Sequence, residues 1–158
     1  MFGDIAMKKT QKTIGMVLFR PFNKSFQYLI LQHSKKYWNF PKGRVESIDV
    51  SEIDTAFREV FEETGLRKTD IRLIEGFREV FEYSFSSEYK ENFGQEVTKQ
   101  AVFYLGQALS DEIVISEEHI GYTWELYDEV RKNLFFKNGQ MVLDAANEFL
   151  LKKSENLL

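Results

Sequence analysis

The sequence predicts an α/β domain in which strands and helices interleave around one interior, and three observations support that class. The 158 residues, 43% of them apolar and including fifteen Phe, seven Tyr and two Trp, suffice for one ordinary domain with a full core. Short β-branched and aromatic runs alternate with turns marked by Pro, Gly and Asn. Longer stretches instead repeat their apolar residues at helical spacing, and no internal repeat or linker divides the chain.

Thr13 to Arg20 and Phe26 to Gln32 are apolar runs of strand composition separated by Pro21-Phe22-Asn23-Lys24-Ser25, and they are expected to pair as a hairpin. Residues 37–43, Tyr-Trp-Asn-Phe-Pro-Lys-Gly, are too brief and too Pro/Gly-marked for a helix. A short extended piece and a loop are expected there. Ser51 to Thr64 is the clearest helix: Ser51 precedes Asp54 in a variant of the capping box, and Gly65 stands where a left-handed glycine ends a helix. Ile53, Ala56, Phe57, Val60 and Phe61 line one side of it. Glu59, Glu62 and Glu63 line the other, within about 100° of one another.

Ile71 to Phe85 alternates imperfectly around Gly76, as one long strand or two strands with a bulge would. Ser86 to Glu96 is polar and reads as a loop. Val97 to Leu105 and Ile120 to Leu126 are further strands, with a short one at Ile113 to Ile115. Tyr127 to Leu134 and Gly139 to Lys152 read as helices, the second packing through Met141, Val142, Ala145, Ala146, Phe149 and Leu150. Met1 to Ala6 carries no periodic pattern, so residues 1–12 are expected to form a flexible leader ahead of a domain spanning 13–158.

Composition narrows the function. With 21 basic and 25 acidic side chains the formal charge is −4 and the pI near 5.3, which argues against DNA or a broad coating of nucleic acid, and against an anionic-membrane tether. The absence of Cys excludes disulfides, thiolate catalysis and sulfur-ligated metals, and two His leave little for an imidazole site. Any metal must be held by oxygen. No stretch approaches the roughly 20 apolar residues of a membrane span, and no secretory signal is visible, so a soluble cytoplasmic protein is expected.

Three Glu at i, i+3 and i+4 also suit a merely solvated helix face. Like carboxylates at that spacing repel by a few tenths of a kcal/mol per pair, however, and only Arg58 lies beside them. A hard divalent ion would supply the missing charge, because Mg²⁺ characteristically takes a few carboxylates, waters and substrate phosphates. The loop ahead of the helix carries Lys42 and Arg44, so polyphosphate oxygens could meet both metal and cationic side chains. Phosphoanhydride hydrolysis requires that combination.

The same residues resemble a known family. Gly43 to Leu66, GRVESIDVSEIDTAFREVFEETGL, is similar to the signature of the Nudix hydrolases, G-x5-E-x7-R-E-U-x-E-E-x-G-U with U aliphatic. Arg58, Glu59, Val60, Glu62, Glu63, Gly65 and Leu66 match its second half without exception. The first half is one residue too long: counting from either end puts Val50 or Asp49 where the first Glu belongs, and Asp49 or Glu52 is expected to replace it as the partner of Arg58. Trp38 to Glu46, Ile74 to Phe77, and Ser116-Glu117-Glu118-His119 with Trp124 further resemble the asymmetric diadenosine tetraphosphate hydrolases, over about Thr13 to Phe149.

The resemblance implies a Nudix-like α/β/α sandwich with a mixed β-sheet between helices. It implies a metal-dependent enzyme that cuts dinucleoside polyphosphates unequally into nucleoside triphosphate and monophosphate. Glu59, Glu63 and Glu118 are implied as ligands of Mg²⁺ or Mn²⁺, with Glu62 in support and the Gly43 carbonyl within reach. The general base is Glu59 or Glu118, and Arg58 orients the cluster. Lys42 and Lys99 are implied to hold phosphates, and Tyr83 and Phe136 to stack adenine. Tyr37 stands where the group usually has His, so it is a substrate contact of altered kind.

Trp38, Phe40 and Trp124 read as core, His33 as structural or exposed, and His119 as a neighbour of Glu118. Two alternatives accompany the expected activity: a pyrophosphohydrolase of RNA 5′-triphosphate ends or of nucleoside triphosphates, and a nucleotide sensor without catalysis, which the irregular loop at Ser47 to Val50 would favour.

Overall fold

The computed structural model of the chain describes residues 9–86, 94 and 96–155. Its centre is a mixed eight-stranded sheet. Strand β1 (Lys9–Phe22) turns into β2 (Ser25–His33) through Asn23 and Lys24, both at positive φ (43° and 64°). Two left-handed residues between antiparallel strands match strand twist, so the hairpin closes tightly with Phe22 opposite Ser25. On its other edge β1 runs parallel to β7 (Glu96–Ala108), from Lys9↔Val97 to Phe19↔Gln107. Residues 9–12, expected in the leader, are therefore strand, because β7 continues far enough to pair with them. The remainder of that leader lies outside the described residues, as does most of the Ser86–Glu96 loop.

β1 and β2 pair only near their turn, at Phe19 to Phe22. Beyond it they part, and the short strands β3 (Trp38–Asn39) and β4 (Lys42–Arg44) fill the gap, β3 on β2 and β4 on β1. Gly15 permits this. A Cβ there would lie 2.7 Å from Phe103, 2.8 Å from the Pro41 carbonyl and 2.9 Å from Lys42 Cβ, closer than real side chains approach. The Pro41 carbonyl also accepts the Met16 N–H at 3.1 Å, so the Pro-Lys-Gly turn is fixed against β1.

The Ile71–Phe85 stretch is two strands, β5 (Ile71–Leu73) and β6 (Glu79–Ser86), laid end to end along β7. The chain leaves the ladder between them at Gly76, whose φ of 89° suits a residue without Cβ. β8 (His119–Leu126) pairs with β2. Ile113 to Ile115 is not a strand. Its backbone is instead pinned to a helix end, Val114 N–H donating to the Thr64 carbonyl at 2.8 Å, while Ile113 and Ile115 pack inward.

Helix α1 (Glu52–Thr64) covers one face of the sheet; α2 (Tyr127–Asn133) and α3 (Lys137–Glu155) cover the other. The result is an α/β/α sandwich, as the resemblance implies. Ser51 Oγ accepts the Asp54 N–H at 3.2 Å, and Gly65 (φ 75°) closes α1 by donating to Phe61. Ile14, Met16, Leu18, Leu29, Leu31, Ala56 and Val60 form the core on this side. Val17, Phe19, Tyr28, Ile30, Phe103 and Leu105 meet Val142, Leu143, Ala146 and Leu150 on the other. The expected helical faces shift in one respect: Phe61 is exposed, whereas Thr55, Glu59 and Thr64 are buried. The inward stripe of α1 thus includes a carboxylate. Trp38 and Trp124 pack against the two cores and Phe40 is buried, as expected.

Candidate active site

The gap between β1 and β2 opens onto a cavity of about 640 Å³ lined by Lys42, Gly43, Arg44, Glu59, Glu62, Glu63, Ser116, Glu117 and Glu118. Three chain segments meet there: the Pro-Lys-Gly turn with β4, the last two turns of α1, and the loop before β8. Gly43 is required at this point because a Cβ would overlap the Glu59 carboxylate. Glu59, only 8% exposed, can therefore lie directly against the β4 backbone. Glu63 is fixed to the same strand, its Oε2 accepting the Lys42 N–H at 3.0 Å.

Arg58 lies behind the acids. Its guanidinium grips Asp49 through two hydrogen bonds of 2.9 Å, donates to Glu59 at 2.9 Å and Glu62 at 3.1 Å, and holds the Arg44 carbonyl at 2.8 Å. Asp49, its side chain 3% exposed, also accepts the Glu46 N–H and the Thr55 hydroxyl, each at 2.8 Å. Arg58 and these donors hold the Asp49 carboxyl well below the usual carboxylate range. Asp49 thus partners Arg58 across the lengthened loop. Glu52, the other candidate, is engaged elsewhere: it pairs with Arg78 at 2.9 Å and Lys12, and accepts from Tyr104 at 2.7 Å.

The cluster carries more negative charge than Arg58 offsets. Burial pushes Glu63 up to about 8, and Glu59 and Glu118 push in the same direction against the opposing effect of Lys42. Glu59 is raised by burial and then by Glu62, with Arg58 opposing. Lys42 is lowered by burial; Glu63 opposes that shift and Lys99 adds to it. Among the described residues no group of three carboxylate or imidazole side chains is positioned to hold a metal ion. The donor set nonetheless fits a hard divalent cation, since it offers carboxylate oxygens from neighbouring Glu side chains with more negative charge than Arg58 offsets. Mg²⁺ in particular binds through one or two carboxylates plus waters and phosphates rather than in an all-protein cage.

A second cavity of about 430 Å³ is lined by Phe81, Glu82, Tyr83, Phe136, Lys137 and Asn138. Tyr83 and Phe136 expose 49% and 43% of their surface, so two rings share one wall without being spent on the core. Lys42 links the two cavities: it lines the first, and its Nζ lies 6.0 Å from the Phe136 ring. Lys99 sits opposite Tyr83 in the β6–β7 register and close enough to Lys42 to depress its basicity. Tyr37 lines neither cavity. Its ring stacks on His33 at 4.6 Å and meets Phe136 edge-on at 5.3 Å, so it supports Phe136 from behind. His119, next to Glu118, is bonded to Ser116 at 2.9 Å and lies edge-on to His33.

The lining also includes Ser116 and Glu117, to which the sequence reading assigned no individual role, and Arg44, which it placed with Lys42 as a cation for polyphosphate oxygens. Arg44 had a readable signal, since in a strand it shares the side of Lys42 two residues earlier.

The NUDIX domain family matches residues 9–145, which include the whole of the acidic cavity. The chain belongs to the NUDIX family. An asymmetrical bis(5′-nucleosyl)-tetraphosphatase of Sus scrofa is 30% identical over 149 residues, covering 88% of this chain and 95% of that relative. An RNA pyrophosphohydrolase of Actinobacillus pleuropneumoniae is 32% identical over 137 residues, 78% of this chain and 64% of that protein. Among solved structures, the binary complex of a C. elegans Ap4A hydrolase superposes with a TM-score of 0.76 at 26% identity, over 90% of this chain and 98% of that one. This NUDIX domain therefore resembles the asymmetric diadenosine tetraphosphate hydrolases along nearly its whole described length. The chain departs from the Nudix signature in the loop before α1, where Asp49 pairs with Arg58.

Proposed function

We propose that this NUDIX hydrolase cleaves dinucleoside polyphosphates such as diadenosine tetraphosphate asymmetrically, yielding nucleoside triphosphate and monophosphate. One observation carries the reading: an acidic cavity and a two-ring cavity are joined by Lys42. A nucleotide needs all three, an aromatic wall for its base, cations for its phosphates, and carboxylates at the reacting phosphorus.

Tyr83 and Phe136 take one adenine by stacking. Lys42 and Lys99 bind phosphate oxygens between the base and the acids. Glu59, Glu63 and Glu118, supported by Glu62 and the Gly43 carbonyl, would hold Mg²⁺ or Mn²⁺, which when bound neutralises phosphate charge and acidifies a water. Glu59 or Glu118 accepts the proton of the attacking water as its oxygen bonds to phosphorus, and the bridging P–O bond breaks to release the other phosphate fragment. Arg58, anchored by Asp49, keeps Glu59 and Glu62 aimed into the cavity. Burial of Glu59 shields its carboxylate from bulk water.

The RNA pyrophosphohydrolase relative supports a second reading, in which the polyphosphate is the 5′ end of an RNA. One substrate panel decides between them. Diadenosine tetraphosphate, 5′-triphosphate RNA and nucleoside triphosphates are compared at one Mg²⁺ concentration in isotopically labelled water. Fastest turnover of the dinucleotide to ATP and AMP, with label in one product, is expected. Faster release of pyrophosphate from RNA would replace the reading, and tight nucleotide binding without any product would make the domain a sensor.

A further inference from the structure

Among the carboxylates of the acidic cavity, Glu118 is held differently from its neighbours. Glu59 is fixed by Arg58, and Glu63 by the Lys42 N–H. Glu118 lines the same cavity and its charge reaches Glu63, yet the residue is exposed and its carboxylate has no hydrogen-bond or ion-pair partner among the described residues. Its aim is therefore set by the backbone that carries it.

That backbone is fixed from β2. Glu118 ends the turn before β8, and its carbonyl accepts the Ser34 N–H at 2.9 Å. The β2–β8 pairing is irregular beside it: Gln32 faces Gly121 but His33 faces His119, which leaves Ile120 as an extra residue on β8. A bulge bends its strand and re-aims the adjacent side chains. Across this one, the His119 ring lies edge-on to the His33 ring at 5.9 Å.

The His33 ring is itself clamped. Its Nδ1 accepts the Lys35 N–H at 3.1 Å, and Tyr37 stacks on it at 4.6 Å with the planes 5° apart. The loop between the two rings is closed by the His33 N–H on the Tyr37 carbonyl at 2.8 Å and the Lys36 N–H on the His33 carbonyl at 2.7 Å. His119 in turn bonds Ser116, which lines the acidic cavity, at 2.9 Å. His33 and Tyr37 do not line that cavity, so they act on it only through His119 and the Ser34 bond.

We infer that the Tyr37–His33 stack is a positioning device for the Glu118 loop: pressed on His119 across the bulge, it sets the direction from which Glu118 enters the acidic cavity. The inference rests on the hydrolase reading above, in which Glu118 serves the metal or the attacking water, and it gives Tyr37 a role that needs no contact with substrate.

The full chain tests it, with His33→Leu, Tyr37→Leu and Tyr37→Phe beside wild type. His33→Leu is expected to lower kcat for diadenosine tetraphosphate about tenfold with KM within a small factor, the usual cost of losing a support behind a ligand. Tyr37→Leu should lower kcat as much and also raise KM, because Phe136 loses its edge contact; Tyr37→Phe keeps the ring and should recover both. Mn²⁺ affinity, measured by calorimetry without substrate, should weaken about tenfold in both leucine variants. Because the chain has two His, the His119 imidazole protons can be followed by NMR: Tyr37→Leu should move them, although Tyr37 stacks on His33 rather than His119, and Tyr37→Phe should not. Both residues are half-buried, so the variants should melt with wild type. An unchanged kcat in His33→Leu, or a loss that Tyr37→Phe fails to recover, would overturn the assignment, as would His119 signals indifferent to Tyr37→Leu. If wild type neither cuts the dinucleotide nor takes up Mn²⁺, the hydrolase reading fails, and the His119 signals still decide whether the stack holds the loop.

Discussion

The two faces of the sheet contribute to the cavity in opposite ways. On the α1 face, charge is concentrated on one helix: Glu59, Glu62 and Glu63 lie within about one turn, the first two held by Arg58 and the third by the Lys42 N–H. On the other face, rings and cations are collected from β4, β6, β7 and the link between α2 and α3, without a motif joining them. The acidic face carries more negative charge than Arg58 offsets, with Glu59 buried; the other face presents the half-exposed rings of Tyr83 and Phe136. If, as proposed, the first face serves chemistry and the second recognition, changes on the acidic side should cost rate and changes on the basic side should cost affinity.

The largest effect expected is at Glu59. Glu59→Gln preserves size and removes the carboxylate, so kcat should fall about a thousandfold while the thermal midpoint is maintained. A near-native rate would remove Glu59 from the chemistry. Asp49→Asn is next. It leaves the Arg58 fork half-satisfied, so kcat should drop about 10- to 100-fold with KM little altered, as expected when an orienting partner is lost. A pure KM effect would move Asp49 to the recognition side and break the division of labour.

Why Asp49 was only half legible is instructive. The sequence offered two candidates for the missing Glu, and spacing could not choose between them. Packing chooses: Asp49 is enclosed by Arg58, Thr55 and the Glu46 N–H, whereas Glu52 is drawn off by Arg78, Lys12 and Tyr104 from three separate elements. Helix α1, its caps and its acids were readable because they are contiguous and obey one period. The inward turn of Glu59 was not, because it depends on a bare glycine 16 positions earlier meeting it across the gap. Gly15 carried no local signal either; its role appears only when β4 crosses it. Tyr83, Phe136 and Lys99 came from resemblance rather than pattern, since the register that sets Tyr83 against Lys99 is a long-range choice. The strand expected at Ile113 to Ile115 failed for the converse reason: a three-residue apolar run says nothing about whether an edge or a helix end will receive it.

On the recognition face, Phe136→Ala should raise KM for diadenosine tetraphosphate about tenfold and leave kcat within a small factor, in line with base–aromatic stacking. Loss of kcat instead would mean the ring shapes the acidic cavity through Tyr37. The smallest effect concerns stability alone. Arg78, then Lys12 and Tyr104, hold Glu52 at about 2 in the folded protein, below its unfolded value near 4.3. Its contribution is therefore complete above about pH 4.3 and disappears as pH falls through about 2. Glu52→Gln should cost about 1 kcal/mol at pH 7 in urea unfolding, discounted for partial exposure, and the gap should narrow towards pH 2. A gap independent of pH would show that the network acts by packing rather than charge.

The most direct test of the central claim is calorimetric titration of the purified protein with Mn²⁺, with and without a non-hydrolysable dinucleoside tetraphosphate. If the crowded carboxylates are balanced by cations that also grip the phosphate chain, ion uptake should be measurable, should tighten when the nucleotide is present, and should be lost in Glu63→Gln. Absence of uptake under both conditions would contradict the account.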